Sequence, residues 1–300
     1  MKSIALLAPA KINWTLEVLG KRDDGYHEIR SILQTINLCD TISLQHAAKI
    51  TLSVRGGTRS FRRHADEAPD TNLAYGAARL LRERTGRRSG VEIRLHKNIP
   101  IAAGLGGGSS DAAAVLRGLR TLWEIDISDA ALTQIASELG SDVPFFLRGG
   151  TALASGLGDV IEPLPDIQQP DIAVTTRRSR RAPDKTARMY AALAPEHYSD
   201  GSRTEALAAR IRAGKPVRER DVYNAFAGIL PYAAPAIASA MRAAREADAG
   251  VPHLCGSGPA LFFFADEFHP ERASAEVYHN AFVPVRALSS REATIMTIDG

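Results

Sequence analysis

Apolar side chains occupy every second position of the chain between Ile12 and Val18, and the positions between them are polar. This period of two predicts a half-buried β-strand, and the glycine- and aspartate-containing residues 20–25 after it predict a turn. Short apolar or β-branched runs predict further strands at Thr41–Leu44, Ile50–Val54, Val91–Leu95, Ile172–Thr176, Ala260–Ala265 and Phe282–Leu288.

Apolar residues three or four positions apart predict amphipathic helices elsewhere in the chain. Asn72–Thr85 has this spacing, and Gly86 after it is a residue type that often ends helices. Asp129–Leu139 has it as well, with Ser128 as the N-cap and Gly140 beyond the C-terminus. The remaining helical patterns lie at Val115–Trp123, Lys185–Leu193, Arg203–Arg212, Ala236–Asp248 and Pro270–Asn280.

The length of the chain and a group of prolines predict two domains. A chain of 300 residues is long for one domain, and three prolines between residues 163 and 170 mark a plausible junction. We therefore predict an N-terminal domain over residues 1–162 and a C-terminal domain over residues 163–300. Strands alternate with helices in the second half, which predicts an α+β or α/β arrangement there. The polar and basic stretch Arg55–Asp70 is predicted to be a mobile loop.

The composition is that of an ordinary globular protein, with 45% hydrophobic and 24% charged residues, which excludes fibrous and wholly disordered chains. The net charge of +3 and the 6% of aromatic residues are too low to favour a nucleic-acid-binding protein. Two cysteines cannot build a disulfide framework or a cysteine-rich zinc site, and reduced thiols are the simpler interpretation.

The start of the chain is apolar over only a few residues before Lys11 and Asn13 interrupt the run, so it fails as a signal peptide. No segment approaches the roughly 18 uninterrupted apolar residues of a membrane helix. We therefore predict a cytoplasmic protein without membrane or nucleic-acid partners.

A glycine-rich run at residues 100–110 lies between a predicted strand and a predicted helix. Such a run can hold phosphate, because glycine lets the backbone approach closely and the helix N-terminus adds partial positive charge. Ser109 and Ser110 are predicted to cap the helix and to reach either the phosphate or a metal ion. The alternatives are a flexible linker and a tight packing turn, although the position between two periodic elements argues against a linker.

The run lacks the marks of the common nucleotide-binding loops. No Gly-Lys-Ser/Thr closes it as in a Walker A loop, and Ser109 stands where a dinucleotide fingerprint has its third glycine. The His-Arg-Asp catalytic loop of protein kinases is missing too. If the run binds a nucleotide, it does so in another fold.

Other candidate residues carry little information singly. Lys11 and Asn13 share the polar face of the first strand, but one lysine is more often a surface residue. Asp142 by itself is more often a helix cap, and Tyr26 and His27 suit a surface turn.

Taken in order, however, these pieces resemble the GHMP kinase superfamily, and the resemblance runs from about residue 8 to about residue 290. The Pro-Ala-Lys-x-Asn start and the Asp-Gly-Tyr-His segment are more specific than the glycine-rich run, and they resemble the branch that acts on a cytidine-diphosphate-linked methylerythritol. The motifs are Pro9–Asn13, Asp24–His27, Pro100–Asp111, Gly140–Pro144 and Gly256–Gly258.

The resemblance implies an α+β, two-domain GHMP kinase fold. It has an N-terminal α/β domain, a ferredoxin-like C-terminal domain and an active site in the cleft between them. It also implies transfer of the ATP γ-phosphate to the 2-hydroxyl of the methylerythritol moiety, in non-mevalonate isoprenoid synthesis. ATP would be the co-substrate, with Mg²⁺ expected beside it, and the enzyme would be a monomer or homodimer.

By matching motifs, Lys11 and Asp142 would be the catalytic pair. Asn13, Tyr26 and His27 would hold the substrate, the last two at its cytidine end. These residue types suit the chemistry, because a carboxylate can take the proton of an attacking alcohol and a lysine can neutralise charge on the phosphoryl group. The implied ATP-binding residues are Pro100, Ile101, Ala102, Ala103, Gly104, Leu105, Gly106, Gly107, Gly108, Ser109 and Ser110.

Two alternatives remain: a homoserine or mevalonate type of GHMP kinase, and a non-catalytic nucleotide sensor on the same fold. Three segments depart from the family pattern or match it loosely. Asn224–Ala227 stands where the family has Asn-Asp-Leu-Glu and is given no role; the basic Arg177–Arg181 is predicted to be a solvated loop; Lys185–Tyr190 lies where relatives contact substrate.

Overall fold

The computed structural model describes residues 2–56, 71–167, 171–175, 184–272 and 282–299. The strands are β1 (Ser3–Lys21), β2 (His27–Ala47), β3 (Thr51–Gly56), β4 (Gly90–Lys97), β5 (Thr151–Gly156), β6 (Val160–Pro163), β7 (Ile172–Thr175), β8 (Tyr223–Asn224), β9 (His253–Leu254), β10 (Leu261–Phe264), β11 (Phe282–Val285) and β12 (Met296–Asp299). The helices are α1 (Leu73–Thr85), α2 (Gly107–Leu122), α3 (Asp129–Leu139), α4 (Val143–Arg148), α5 (Lys185–Ala191), α6 (Ser202–Arg212), α7 (Leu230–Ala233), α8 (Pro235–Glu246) and α9 (Ser290–Ala293).

The strands form two sheets. The larger, of eight strands, runs β12-β1-β2-β4-β3, with β5 and β8 attached to β2 and β1, and β6 attached to β5. The smaller is antiparallel and runs β11-β7-β10-β9, which is the order 4-1-3-2 of a ferredoxin-like domain. The α+β arrangement predicted from the sequence, with a ferredoxin-like second sheet, is confirmed.

The last strand returns to the first sheet. β12 pairs antiparallel with the start of β1, so that Ser3 lies opposite Asp299, and the short β8 runs parallel to β1. Segments from both halves of the chain therefore share the larger sheet. The division at residues 162 and 163 stays a prediction.

The β1–β2 hairpin is much longer than the alternation in the sequence predicted. Irregularities in its pairing at Pro9/Ala10, Asn13/Thr15 and Val18/Gly20 shift the side-chain phase, so the period of two holds only locally. Residues 8–18 are buried throughout, because helices cover one face of β1 and the second half of the chain covers the other. Trp14 packs edge-on against Phe262 of β10, with ring centroids 5.6 Å apart. The middle of β1 thus lies between the two halves.

Local signals placed two helices correctly. The Asn72 side chain accepts a hydrogen bond from Ala74 N at the start of α1, and Gly86 ends it with a φ of 64°. Ser128 caps α3 in the same way. α2, however, begins at Gly107 with Gly106 as its N-cap, so Ser109 and Ser110 lie inside its first turn and the prediction that they cap the helix is wrong.

Several predicted segments fall wholly or partly beyond the described residues. Arg177–Arg181 lies outside them, as do residues 57–70 of the predicted loop, whereas Arg55 and Gly56 belong to β3. Of the helix predicted at Pro270–Asn280, a 3₁₀ turn at Pro270–Arg272 is described. In the part of the chain that the structure describes, no helix is both long and apolar enough to cross a membrane.

Candidate active site

A cleft of about 380 Å³ opens where β1 and β2, the glycine-rich loop and the second half of the chain meet. Its lining includes Lys11, Asn13 and Asp142, three of the five residues predicted for catalysis and substrate binding. These residues are far apart in sequence, and the fold brings them together.

Lys11 and Asp142 face each other in this cleft. The Nζ atom of Lys11 lies 3.6 Å from Oδ2 of Asp142 and donates a hydrogen bond of 2.9 Å to Oδ1 of Asn13. Lys11 is 5% exposed, whereas the Asp142 side chain is 36% exposed and open to a ligand. Asp142 occupies the N-cap position of α4 but makes no capping hydrogen bond with its side chain. Its carboxylate is therefore available for chemistry.

Asn13 is fixed from its other side by Ser31, which sequence reasoning missed. Nδ2 of Asn13 donates to Oγ of Ser31 at 2.8 Å, and Ser31 donates in turn to the carbonyl of Thr15 at 2.6 Å. No sequence signal marks a serine in the middle of β2, because its role depends on the pairing of β2 with β1. The chain of hydrogen bonds gives Lys11 and Asn13 fixed orientations.

The glycine-rich loop lies against this pair. The amide N–H of Lys11 donates to the carbonyl of Leu105 at 2.9 Å, and Gly104, Gly106 and Ser109 line the cleft. Gly106 has a φ of 71°, and a Cβ there would approach Cγ of Lys11 to 3.0 Å and the Phe146 ring to 2.8 Å. The side chains of Ala103 and Leu105 are buried, so this part of the loop turns its backbone, not its side chains, to a ligand.

The last residues of the loop, 107–110, form the first turn of α2, which offers the amide N–H groups that no helix can satisfy internally. Those N–H groups and the helix dipole favour an anion at the helix N-terminus.

A turn from the second half of the chain packs on the glycine-rich loop. Ala260 N donates to the carbonyl of Ala103 at 3.0 Å, and a Cβ on Gly256 would lie 3.1 Å from the carbonyl oxygen of Gly104. Nδ2 of Asn224 donates to the carbonyls of Leu254 and Gly256, at 3.0 and 2.9 Å. The sequence predicts no role for Asn224–Ala227, and this is wrong for Asn224, which holds the turn. The role of Asn224 was missed because the acidic residues of the family pattern are absent from this segment.

One aromatic group connects the predicted cytidine end to the cleft. Tyr26 is 64% exposed and His27 is partly buried, and neither lines the cleft itself. The His27 ring stacks on Tyr190 of α5, which does line it, at a centroid distance of 5.2 Å and an angle of 27°. Burial lowers the pKa of His27, and Lys21 adds to this, so the ring is neutral near pH 7.

Tyr190 is held in turn by Phe226, whose ring it meets edge-on at 4.9 Å. Burial raises the pKa of Tyr190, and the charge of Asp142 adds to the effect. The hydroxyl of Tyr190 is therefore neutral, and Tyr190 lies between Asp142, the predicted general base, and His27, at the predicted cytidine end.

α5 brings two more polar residues to the loops. Oγ1 of Thr186 and Oγ of Ser257 are 3.1 Å apart, and both residues line the cleft. Nζ of Lys185 donates to the carbonyls of Ala102, at 3.1 Å, and Gly258. Burial lowers the pKa of Lys185 to about 8. The sequence match was too loose to single out these residues within Lys185–Tyr190.

Comparison with known proteins agrees with this geometry. The family model of the GHMP kinases N terminal domain matches residues 72–150, which include the glycine-rich loop and Asp142. The 4-diphosphocytidyl-2-C-methyl-D-erythritol kinase of Pelotomaculum thermopropionicum is 39% identical over 286 residues, covering 92% of this chain and 93% of its own. The chain belongs to the 4-diphosphocytidyl-2-C-methyl-D-erythritol kinase family. It is therefore a small-molecule kinase.

Other comparisons support the same family. The 4-diphosphocytidyl-2-C-methyl-D-erythritol kinase of Dehalococcoides mccartyi is 37% identical over 277 residues, covering 92% of this chain and 93% of its own. A crystal structure of 4-(cytidine 5'-diphospho)-2C-methyl-D-erythritol kinase superposes with a TM-score of 0.71 at 32% identity, over 94% of this chain and 97% of that one. Homoserine kinase from Cytophaga hutchinsonii, at 15% identity, has a TM-score of 0.68 over 99% of this chain and 97% of its own, and shares the fold alone.

Proposed function

We propose that the chain transfers the γ-phosphate of ATP to the 2-hydroxyl of 4-diphosphocytidyl-2-C-methyl-D-erythritol, giving the 2-phosphate and ADP. The observation that carries the proposal is the Lys11–Asp142 pair, which faces a cleft beside the N-terminal turn of α2. A base and a cation next to a phosphate-binding turn are the parts that phosphoryl transfer to an alcohol needs.

Asp142 would act as the general base. Its carboxylate is partly exposed to the cleft and makes no capping bond, so it can accept the proton of the 2-hydroxyl as the new P–O bond forms. Lys11 would stabilise the negative charge of the phosphoryl group during transfer, because its Nζ is held by Asn13 within 3.6 Å of the base. Asn13 and Ser31 would keep Lys11 in place while the charge moves.

The glycine-rich loop, residues 100–110, would bind the ATP phosphates. The N–H groups at the start of α2 are the donors, and Gly104 and Gly106 let the loop lie directly against Cys255 and Lys11, where a Cβ would clash. Mg²⁺ arrives with ATP as its counterion and forms part of that substrate. The leaving ADP would keep most of these contacts.

The cytidine end of the substrate would lie toward Tyr26 and His27. Tyr26 exposes a ring on which a pyrimidine can stack, and the neutral His27 offers one donor and one acceptor to the edge of the base. Tyr190 contacts His27 and also lines the cleft. It would therefore contact the part of the substrate that lies between the cytosine ring and the reacting hydroxyl.

The wider predictions belong to the same proposal. We propose that residues 1–162 and 163–300 act as two domains, with the reaction taking place between them, and that the enzyme works in the cytoplasm.

The test is release of ADP from ATP and Mg²⁺ in the presence of one candidate substrate at a time. We expect turnover with 4-diphosphocytidyl-2-C-methyl-D-erythritol and none above background with homoserine or mevalonate. Turnover with homoserine or mevalonate, but not with 4-diphosphocytidyl-2-C-methyl-D-erythritol, would contradict the proposed substrate while still supporting a GHMP kinase activity. ATP binding without turnover on any of the three would contradict the proposed reaction and favour a nucleotide sensor.

A further inference from the structure

Three ionisable side chains form a buried cluster beside the first turn of α2, and none of them lines the cleft. Nζ of Lys97, the last residue of β4, donates to Oδ2 of Asp40 on β2 and, at 2.5 Å, to Oδ2 of Asp111 on α2. Lys97, Asp40 and Asp111 are 6%, 0% and 3% exposed. Removing such groups from water is unfavourable unless they are paired, so the cluster is stable only with its bonds intact.

This cluster touches both ends of the glycine-rich loop. Oδ1 of Asp40 accepts the amide N–H groups of Asn98 and Ile99, at 2.6 and 2.8 Å, just before the loop. Asp111 comes directly after the loop, in the first turns of α2. Since Lys97 joins the two carboxylates, one ammonium group connects the entry of the loop to its exit.

The cluster is also close to the turn that would bind phosphate. A Cβ on Gly107 would lie 3.4 Å from Nζ of Lys97 and 2.9 Å from the Ile99 side chain, whereas a Cβ on Gly106 would approach Lys11. The two lysines therefore flank the start of α2 from different sides: Lys11 at the cleft, Lys97 in the interior.

We propose that Lys97 is a positioning residue for ATP. Through its bonds to Asp40 and Asp111, Lys97 holds residues 98–99 and the first turn of α2 at the spacing that the phosphates require. This inference rests on the proposed binding of ATP by the glycine-rich loop. Lys97 does not line the cleft and acts through Asp40 and Asp111.

The charge of the cluster provides a readout that a merely structural role would not move. Burial raises the pKa of Asp111 to about 8; the Lys97 ammonium opposes this shift and the Asp40 carboxylate adds to it. With Asp111 protonated, Lys97 and Asp40 cancel; with Asp111 ionised, the cluster carries a net charge of −1 next to the phosphate-binding turn. ATP affinity is therefore expected to decrease as the pH rises through about 8.

Among the described residues, Lys97 and Asp40 are the charged groups that shift the pKa of Asp111. Charged groups face this turn from β4 with Lys97, from β2 with Asp40 and from β1 with Lys11. The helices packed on α2 present apolar side chains, among them Leu73 of α1, Leu132 of α3 and Phe146 of α4.

The first experiment measures the Kd of a non-hydrolysable ATP analogue with Mg²⁺, without the second substrate, at about pH 7 and about pH 9. In the wild type we expect the Kd to rise several-fold with pH. Asp111→Asn keeps the shape of the side chain without a titrating group. The ratio of the two Kd values should therefore fall to near one in this variant. If this ratio were the same in the wild type and in Asp111→Asn, the charge of the cluster would not affect ATP binding, and the proposed role of the cluster would be wrong.

The second experiment removes the connection itself. Lys97→Met leaves two acids without a cation and is expected to fold poorly, so the variant to measure is Lys97→Met with Asp111→Asn, which retains only Asp40 and its two backbone donors. Its kcat should fall by about 10²-fold, the loss that a displacement of about 1 Å can cause, with a raised Kd for ATP. A folded double variant with the wild-type Kd and kcat would overturn the proposal.

The two proposals can fail separately. Absence of turnover on the cytidine-diphosphate substrate by the wild type would contradict the proposed reaction. A changed ATP Kd in the variants would still support the positioning role of Lys97, because ATP binding is measured alone.

Discussion

Gly104 of the glycine-rich loop lies directly against the carbonyl oxygen of Cys255, so that a Cβ at position 104 would overlap that oxygen. Gly104 also has a φ of 85°, a backbone conformation that residues other than glycine rarely adopt. This close approach joins the proposed phosphate loop to the Gly256 turn, and it gives a simple way to separate them.

Gly104→Ala should therefore weaken ATP binding. The strain at a positive φ is about 1–3 kcal/mol, and the overlap adds to it, so the loop and the turn must move apart. We expect the KM for ATP to rise at least as much as the KM for the second substrate. Gly76→Ala in α1 is the control, because a Cβ there meets only Leu139 at 3.7 Å. A Gly104→Ala enzyme with the wild-type KM for ATP would contradict the proposed contact of this loop with phosphate.

Asn224→Ala should loosen the turn on the opposite side of the cleft. The variant removes both donors from the carbonyls of Leu254 and Gly256, and such a loss costs about 1–3 kcal/mol for a buried group. We expect a lower free energy of unfolding by denaturant, together with lower kcat/KM. Unchanged stability and kinetics would show that the turn is held without Asn224.

The helices were predictable from the sequence where their ends are determined locally. Asn72 and Gly86 bound α1, and Ser128 and Gly140 bound α3, because capping involves only neighbouring residues. β1 was predicted too short, since pairing irregularities with β2 interrupt its alternation.

The residues of the candidate site were likewise predictable from the sequence only in part. Lys11, Asn13 and Asp142 belong to motifs and were predicted, and the fold brings them together. The bond of Ser31 to Asn13 and the bonds of Asn224 to Leu254 and Gly256 join residues distant in sequence, so the local sequence does not predict them.

Tyr26→Ala tests the proposed cytidine end. Loss of one stacking contact with a base is worth about 1–3 kcal/mol, by analogy with single-stranded nucleic acids, so the KM for the cytidine substrate should rise. The KM for ATP should stay close to the wild-type value, because Tyr26 belongs to the turn between β1 and β2 and not to the glycine-rich loop. Tyr26→Phe keeps the ring and serves as the control. A wild-type substrate KM in Tyr26→Ala would remove this residue from the site.

Lys11→Ala should lower kcat strongly without preventing folding. The ammonium is 3.6 Å from Asp142 and bonded to Asn13, so its loss both removes charge stabilisation and frees the base. Combined with Asp142→Asn, it should cost much less than the product of the two single effects, since residues that act as a unit are not additive. Independent, multiplying effects would show that the two residues serve separate steps.

The most direct test of the mechanism is kcat of Asp142→Asn with ATP and 4-diphosphocytidyl-2-C-methyl-D-erythritol. The amide keeps the shape of the carboxylate but cannot accept the proton of the hydroxyl, so kcat should fall by about 10²–10⁴-fold while both ligands still bind. A loss of only a few-fold would contradict the role of Asp142 as general base, and would mean that the site works by positioning and charge alone.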